Sequence, residues 1–285
     1  MHAGIPKALV VLVHYKTPDG VLALLESLQD VKKRSEIAIR IVDSCSGEEY
    51  LSTIRGRLAE FPNAELLESR TNLGYFGAAR FALDQYLAQE HVLPDWIIVC
   101  NHDVLIEDKS IFEKLFATDP ATVGVLAPRI TISSLGIGQN PFMTERPGWW
   151  KRFTMRLYTS SYPLGVTWDW LSRQKKILKS HVPSWMSRSR NGTGRRPIYA
   201  AHGAFMIFSR RFFESGGSLD HGAFLFGEEI AVGESCRAMG LPIVYDPGLS
   251  VLHNEHQSIG NGMSRLMFGY HRLAVRHVLS KYLLS

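Results

Sequence analysis

The sequence predicts an α/β protein whose core is a doubly wound, mostly parallel sheet. First, continuous aliphatic runs at residues 8–13, 37–42 and 96–100 are typical of strands buried on both faces. Second, segments with a helical period alternate with these runs, which indicates β-α-β connections and parallel strands. Third, hydrophobic residues make up 45% of the 285 residues, enough to form a large core. A chain that is disordered throughout is therefore excluded.

The first hundred residues alternate strictly between strand and helix. In order, we predict a strand at 8–13, a helix beginning at Thr17-Pro18, a strand at 37–42, a helix at 48–60, a strand at 64–68, a helix at 74–89 and a strand at 96–100. Thr17 and Pro18 mark the first helix because threonine caps helix N-termini and proline fits the first turn. Ligands of such sheets bind at the carboxyl ends of the strands.

The second half of the chain predicts further elements of the same sheet. These are a strand at 200–208, a helix at 210–215, a helix at 228–239 ended by Gly240, and two short strands at 243–245 and 250–252. Residues 262–285 carry an apolar stripe with four Lys or Arg and no acid. That pattern predicts a basic amphipathic C-terminal helix.

Positive charge and tryptophan are concentrated in residues 140–197. Twelve Lys or Arg stand there against Glu145 and Asp169, a net charge of +10 compared with +5 for the whole chain. Five of the six tryptophans also lie in this segment, and no strand-like period runs through it. We therefore predict that this basic, Trp-rich segment is an insertion or a functional surface.

Several protein classes are disfavoured. No G-x-G-x-x-G follows the first strand and no G-x-x-x-x-G-K-[ST] occurs, which argues against nicotinamide dehydrogenases and P-loop enzymes. Three widely spaced cysteines do not form a disulfide framework or a CxxC metal site, and they favour a reducing compartment. The apolar run at 8–13 is far shorter than the roughly 18 residues of a spanning helix, so neither a membrane anchor nor a secretory signal is expected.

Three groups of polar residues are candidates for chemistry. Asp103 follows a buried strand, where its carboxylate would be a ligand for a divalent cation or a helix cap. Glu228 and Glu229 begin a helix, where they would act as a general base or as first-turn acids favoured by the helix dipole. His253 ends a short strand and would be a metal ligand, a phosphate contact or an ordinary loop histidine.

Seven short motifs occur in an order that resembles glycosyltransferase family 2, particularly its rhamnosyltransferase-like branch. They are VVLVHY at 10–15, IVDS at 41–44, TNLGYFGAAR at 71–80, NHDV at 101–104, GAF at 203–205, GEE at 227–229 and VLH at 251–253. The resemblance covers residues 8–130 and 199–256. It implies a single domain, 1–285, with the GT-A fold, in which 1–130 binds a nucleotide sugar and 199–256 binds the acceptor and carries out catalysis.

The resemblance also implies a role for each matching residue. Tyr15 and Asp43 would contact the base and ribose of a nucleotide-diphosphate sugar, and further donor contacts would come from Asn72, Gly74, Arg80 and Asn101. Asp103 and His253 would hold Mg²⁺ or Mn²⁺. Glu229 would be the catalytic base of an inverting transfer, next to Glu228.

The sequence departs from the family pattern at several positions. His102 replaces the usual proline of the metal motif, Glu229 replaces an aspartate, Arg80 replaces a second asparagine, and Ala231 replaces a further carboxylate. A catalytically altered nucleotide-sugar-binding homologue is therefore one alternative. A nucleotidyltransferase with the same metal aspartate is a second, and a nucleic-acid-binding module built on the basic segment is a third.

We predict an inverting glycosyltransferase that moves a sugar, such as the deoxyhexose rhamnose, to a hydroxyl of a glycan or lipid-linked glycan. Residues 140–197 and 262–285 combine positive charge with aromatic or apolar side chains, which favours an anionic membrane surface over nucleic acid as partner. The alternatives are that 140–197 forms a tryptophan-lined acceptor groove that stacks on sugar rings, and that the last helix packs on the domain through its apolar stripe. The expected location is the cytoplasm, with peripheral attachment to the inner face of the cell membrane.

Overall fold

Strands and helices alternate through the first part of the computed structural model, which describes residues 6–180, 194–254 and 263–284. In order they are β1 (Ala8–His14), α1 (Pro18–Ser27), β2 (Ile37–Asp43), α2 (Glu48–Arg57), β3 (Ala64–Glu68), α3 (Tyr75–Glu90) and β4 (Trp96–Asn101). The seven elements predicted for this part of the chain are confirmed, with β1, β2, β3 and β4 parallel.

The remaining elements complete the sheet and add a group of helices. They are β5 (Val104–Leu105), α4 (Ile111–Phe116), β6 (Val125–Ile132), α5 (Trp149–Tyr158), α6 (Tyr162–Ser180), β7 (Arg196–Ile198), β8 (Phe205–Ser209), α7 (Arg210–Glu214), α8 (Glu228–Ala238), β9 (Ile243–His253) and α9 (Arg265–Val278). Short 3-10 turns and a π turn at Leu279–Leu283 link or extend them.

Three predicted strands differ from the structure. The strand expected at 200–208 begins only at Phe205, because residues 200–204 form a loop whose Ala204 carbonyl accepts from the Asn101 backbone N–H. The strands expected at 243–245 and 250–252 are one strand, β9. Its pairing with β6 passes Pro128↔Asp246 and resumes at Arg129↔Ser250, so the residues between form a bulge that preserves the ladder.

The strand order of the sheet is β3-β2-β1-β4-β8-β6-β9-β5, with β7 paired to β9. The strands β8, β7 and β5 run against their neighbours, while β6 and β9 are parallel. The predicted mostly parallel sheet is therefore confirmed. Consequently the carboxyl ends of β1, β2, β4, β6 and β9 share one edge.

Alternate residues of the central strands enter two separate cores. In β1, Val10 and Leu12 pack on one side of the sheet and Leu9 and Val11 on the other, all essentially inaccessible to solvent. Burial of both faces explains why these strands are continuous aliphatic runs rather than alternating ones. The carboxyl edge is thus held by a rigid, close-packed layer.

The basic segment contains two helices, α5 and α6, that pack with α9. The Tyr158 ring stacks on Trp168 at 5.1 Å and on His271 at 5.6 Å between ring centroids. A third, smaller core joins this group to α8 through Met155, Ile230 and Val275. The helix α9 lies within the predicted C-terminal segment, whereas Trp185, Arg188 and Arg190 fall outside the described residues.

Within the three described ranges, no helix combines the length and the apolar character needed to cross a bilayer.

Candidate active site

The first part of the site is the junction of β1 and β2. The strand register places His14 opposite Asp43, and Nδ1 of His14 lies 2.9 Å from Oδ1 of Asp43. The Ser46 backbone N–H donates to the other carboxylate oxygen of Asp43 at 3.0 Å, and the Thr17 N–H donates to Nε2 of His14 at 3.0 Å. Both side chains are fully buried.

These contacts define the state of Asp43. Burial raises the pKa of its carboxyl, but the hydrogen bonds from His14 and Ser46 outweigh burial, so that the pKa lies below its usual range. A buried carboxylate held in this way fixes the loop after β1. That loop carries Tyr15, whose side chain is exposed at the same edge of the sheet.

The turn before α3 brings Asn72 and Gly74 to the site. Oδ1 of Asn72 accepts from the Gly74 backbone N–H at 3.0 Å, which closes the turn. Gly74 has a φ of 71°, and a Cβ built on it would lie 1.9 Å from the Phe224 carbonyl oxygen. Only glycine permits this approach, which joins the turn to the loop that precedes Glu228.

Asp103 and His253, the two predicted metal ligands, lie side by side. Nε2 of His253 is 3.2 Å from Oδ1 of Asp103, and both side chains are buried. Nδ1 of His253 lies 2.6 Å from Oε1 of Gln139. When Nδ1 donates its proton to this oxygen, Nε2 keeps a lone pair that faces the carboxylate.

This arrangement fits a divalent cation. In that tautomer the lone pair and the carboxylate, 3.2 Å apart, repel each other, and a cation between them would relieve the repulsion. Two ligands at right angles, each about 2.1 Å from an ion, would be roughly 3 Å apart. Among the described residues no third carboxylate, thiol or imidazole completes a cluster, so the remaining ligands of such an ion would come from the substrate and from water.

A loop containing Gly203 connects the metal side of the site to Glu228 and Glu229. The Tyr75 hydroxyl donates to the Gly203 carbonyl at 2.6 Å, and the Gly203 N–H donates to Oε1 of Glu229 at 3.3 Å. Burial raises the pKa of Tyr75 well above its usual range, and the charges of Glu228, Glu229 and Asp103 raise it further. Tyr75 is therefore a neutral phenol that holds the Gly203 loop through its hydroxyl.

Glu228 and Glu229 occupy different environments. Glu228 is buried, and its Oε2 has no hydrogen-bond partner among the described residues. Burial, followed by repulsion from Glu229, raises the pKa of Glu228 well above its usual range. Glu229 is partly accessible, and burial also raises its pKa, although backbone N–H groups oppose the shift. A carboxylate that is reachable and has a raised pKa suits a general base.

The two remaining predicted donor contacts, Asn101 and Arg80, lie on β4 and α3. Asn101 ends β4 opposite Val13, with a partly accessible side chain. Arg80, in contrast, is exposed on α3 and donates to Asp220 at 2.6 Å, with Asp84 at 3.6 Å. Neither acid belongs to the cluster around Tyr75. Ala231 is buried in α8, where a further carboxylate would lack solvent.

His202 and Gln139 also lie at the site, although the sequence pattern did not predict them. The His202 backbone N–H donates to Oδ1 of Asn140 at 2.8 Å, and Nδ1 of the His202 ring accepts from the Ala204 backbone N–H at 3.1 Å. The centroid of the His202 ring is 6.0 Å from that of His253. The only sequence signal was the position of His202 directly before the GAF motif at 203–205.

Comparison with curated proteins finds two relatives over nearly the whole chain. Both are named N-acetylglucosaminyl-diphospho-decaprenol L-rhamnosyltransferase and come from Mycobacterium tuberculosis, strains CDC 1551 / Oshkosh and H37Rv. Each is 25% identical over 280 residues, which cover 94% of this chain and 84% of the relative. No family model matches the chain.

Solved structures share the fold at low sequence identity. The mannosyltransferase PcManGT from Pyrobaculum calidifontis, in complex with GDP-Man and Mn²⁺, has a TM-score of 0.51 at 14% identity, over 97% of this chain and 74% of its own. GalNAc-T7 with UDP, GalNAc and Mn²⁺ has a TM-score of 0.53 at 14% identity, over 88% and 44%. TarS from S. aureus has a TM-score of 0.51 at 13% identity, over 85% and 36%.

These comparisons confirm the predicted GT-A fold and the resemblance to the rhamnosyltransferase-like branch of family 2. They also support a glycosyltransferase enzyme, as predicted. Two of these structural neighbours contain Mn²⁺.

Proposed function

We propose that this glycosyltransferase transfers a deoxyhexose such as L-rhamnose from a nucleotide-diphosphate sugar to a hydroxyl of a lipid-linked glycan, with inversion at the anomeric carbon. The observation that carries this proposal is the grouping of Asp103, His253 and Glu229 at the carboxyl edge of a GT-A sheet. The named activity of the two mycobacterial relatives supports both the donor sugar and the acceptor class.

The nucleotide would bind at the ends of β1, β2 and β4. Tyr15 offers an exposed ring for stacking on a base, and the buried His14–Asp43 pair fixes the loop that carries it. Asn101 provides a side-chain amide beside β1, and Asn72 and Gly74 would line the diphosphate. Arg80 would contribute only if its exposed pairing with Asp220 opened, and we assign it the weakest donor role.

Asp103 and His253 would hold Mn²⁺ or Mg²⁺, with Gln139 fixing the His253 ring. When bound, the ion would neutralise charge on the departing nucleoside diphosphate. The chain itself positions this pair through the backbone, because the Asn254 N–H donates to the Asp103 carbonyl at 2.8 Å. The carboxylate and imidazole are therefore held in place before substrate arrives.

Glu229 would act as the general base. Its Oε1 would accept the proton of the acceptor hydroxyl as that oxygen attacks the anomeric carbon from the face opposite the diphosphate, which gives inversion. The Gly203 N–H orients the carboxylate, and Tyr75 holds the Gly203 loop. Burial, followed by repulsion from Glu229, raises the pKa of Glu228 well above its usual range, which disfavours a second negative charge next to Glu229.

The reaction would take place at the cytoplasmic face of a membrane. A lipid-linked acceptor requires an enzyme that works at a bilayer surface. All three cysteines, Cys45, Cys100 and Cys236, are unpaired thiols in the structure, which is in keeping with a reducing compartment.

A product assay tests the proposal. Purified protein is incubated with a panel of nucleotide-diphosphate sugars, Mn²⁺ and an N-acetylglucosaminyl diphospholipid, and both nucleotide and lipid products are analysed by mass spectrometry. Free nucleoside diphosphate together with a glycosylated lipid is the expected result. Release of pyrophosphate would instead show nucleotidyl transfer, and donor binding without turnover would show a catalytically altered homologue.

A further inference from the structure

Helices α5, α6 and α9 expose an unusual amount of apolar surface. The most exposed side chains are Trp149 at 74%, Leu178 at 72%, Leu266 and Leu273 at 65%, and Trp150 at 61%. Phe153, Leu157, Trp170 and Leu171 are each at least half exposed. Large side chains of this kind are normally buried, and an exposed group of them marks an interaction surface.

Three aromatic residues in the first half of α5, Trp149, Trp150 and Phe153, are arranged together. Trp150 stacks on Phe153 with 5.6 Å between ring centroids, and Trp149 meets Trp150 edge-on at 5.4 Å. The opposite side of α5 carries Met155, which packs into the core shared with α8 and α9. The helix is therefore fixed to the enzyme by one face and presents a tryptophan cluster on the other.

The same three helices are strongly basic. Their sequences contain ten Lys or Arg and one acid, Asp169, which is paired with Arg173 at 2.9 Å. Two of the arginines, Arg156 on α5 and Arg276 on α9, line a cleft of about 310 Å³ together with Thr159, Ser160 and Ser280. Among the described residues neither arginine has a carboxylate within 4.0 Å.

We propose that α5, α6 and α9 form the docking surface for a bilayer rich in anionic phospholipid. The tryptophans and leucines would enter the interfacial region, and the Arg156–Arg276 cleft would receive a lipid phosphate. Charge complementarity favours this partner. The same group of helices carries exposed indoles and guanidinium groups with no carboxylate nearby in the described part of the chain, which match a bilayer with an apolar interior and an anionic surface. The inference rests on the proposed function, because a lipid-linked acceptor is what requires membrane contact.

Docking would also bring α8, the helix that carries Glu229, close to the bilayer. Val275 and Val278 of α9 share a core with Ile230 of α8, one residue after Glu229. A Cβ on Gly227 would lie 2.7 Å from a methyl group of Val278, which shows how closely α9 approaches the start of α8. The surface that enters the membrane and the proposed base therefore belong to one rigid unit.

Co-sedimentation with vesicles tests this inference. Full-length protein is mixed with vesicles of phosphatidylglycerol and phosphatidylcholine, or of phosphatidylcholine alone, at low and high salt. We expect binding that requires phosphatidylglycerol and weakens with salt. In the same mixtures, lipids brominated in their acyl chains should quench tryptophan fluorescence, because Trp149 and Trp150 would reach them.

Two double variants with a matched control locate the surface. Arg156→Glu with Arg276→Glu, and Trp149→Ser with Trp150→Ser, should each weaken vesicle binding by about tenfold or more. Lys32→Glu with Lys109→Glu is the matched control and makes the same change in net charge. Both lysines are exposed, and their backbones are hydrogen-bonded to each other, so this pair of changes should have little effect on vesicle binding. Thermal melting checks that each variant remains folded.

The outcomes separate this inference from the proposed function. No binding to phosphatidylglycerol vesicles at low salt, equal binding to phosphatidylcholine, or unchanged binding by both surface variants would overturn the docking surface. Tight, salt-sensitive binding of a single-stranded oligonucleotide that the same variants abolish, without vesicle binding, would assign the surface to nucleic acid instead. Transfer to a water-soluble acceptor should stay within about twofold in the surface variants. If wild-type protein bound vesicles but transferred no sugar to this acceptor, the result would contradict the proposed function and leave the docking surface intact.

Discussion

Nε2 of His253 lies 3.2 Å from Oδ1 of Asp103 because the short strand β5 pairs with the end of β9. The register sets Val104, the residue after Asp103, directly opposite His253. Two distant parts of the chain thus meet at one point of the sheet edge. The pairing brings together the carboxylate and the imidazole that we propose as ligands of a divalent cation.

The first prediction concerns this pair. Asp103→Asn keeps the shape of the side chain and removes its charge, so Mn²⁺-dependent binding of a nucleoside diphosphate should be lost. Isothermal titration calorimetry with and without MnCl₂ measures it. Asp108→Asn is the matched control, since Asp108 lies close by in sequence but is paired with Lys114 at 2.6 Å. Equal affinity of Asp103→Asn and wild type in Mn²⁺ would assign Asp103 a structural role.

The second prediction concerns the proposed base. Glu229→Gln should lower kcat by about 10²-fold or more with little change in donor affinity, because a base acts in the transition state. Burial raises the pKa of Glu229, and a base works only when ionised, so wild-type activity should rise with pH through a value above the usual glutamate range. The residual activity of Glu229→Gln should lack that rise.

Glu228→Gln is the comparison for this assay. Glu228 is the more buried of the two, and its pKa is raised well above the usual range, so an amide should replace it with a smaller loss of kcat. If Glu228→Gln lost more activity than Glu229→Gln, the base would be Glu228 and the assignment would move by one residue.

Much of the site was predictable because it follows the ends of strands. Asp43, Asn101 and Asp103 each end or follow an aliphatic run, and the parallel order brings such residues to one edge. The sequence could not show that Asp43 is engaged by His14 and Ser46, since those contacts depend on the register of β1 and β2.

Other parts were not predictable for different reasons. Gln139 and His202 lie in irregular loops that meet His253 only through the β6–β9 pairing. The helices α5 and α6 have apolar residues on their solvent side as well as their packed side, which obscures the usual period of a helix that packs against a core. The bulge in β9 likewise depends on its partner strand, so sequence analysis divided one strand into two.

The third prediction concerns pH and stability. The pKa of Glu228 is raised in the folded protein, so the folded state holds this proton more tightly than the unfolded chain does. Its contribution to stability is therefore fully present below the usual glutamate pKa and is lost as pH rises through the raised value. Glu228→Gln cannot ionise, so its melting temperature relative to wild type should increase as pH rises above the usual glutamate pKa. A difference that is constant across this range would show that Glu228 is not buried as an acid.

The last prediction tests the contact between the turn before α3, which contains Gly74, and the loop before α8, which contains Phe224. Gly74 has a φ of 71°, and its Cα faces the Phe224 carbonyl so closely that an added Cβ would lie 1.9 Å from that oxygen. Gly74→Ala should therefore lower the free energy of unfolding by roughly 1–3 kcal/mol and also weaken donor binding, because Phe224 must move. Gly56→Ala is the matched control: Gly56 lies in α2 with nothing within 4 Å of an added Cβ, and alanine there should stabilise by about 0.5–1 kcal/mol. Urea denaturation of both variants gives the comparison. If Gly74→Ala proved as stable as Gly56→Ala, the two loops would not be in the contact described, and the orientation of Glu229 would have to depend on the Gly203 loop alone.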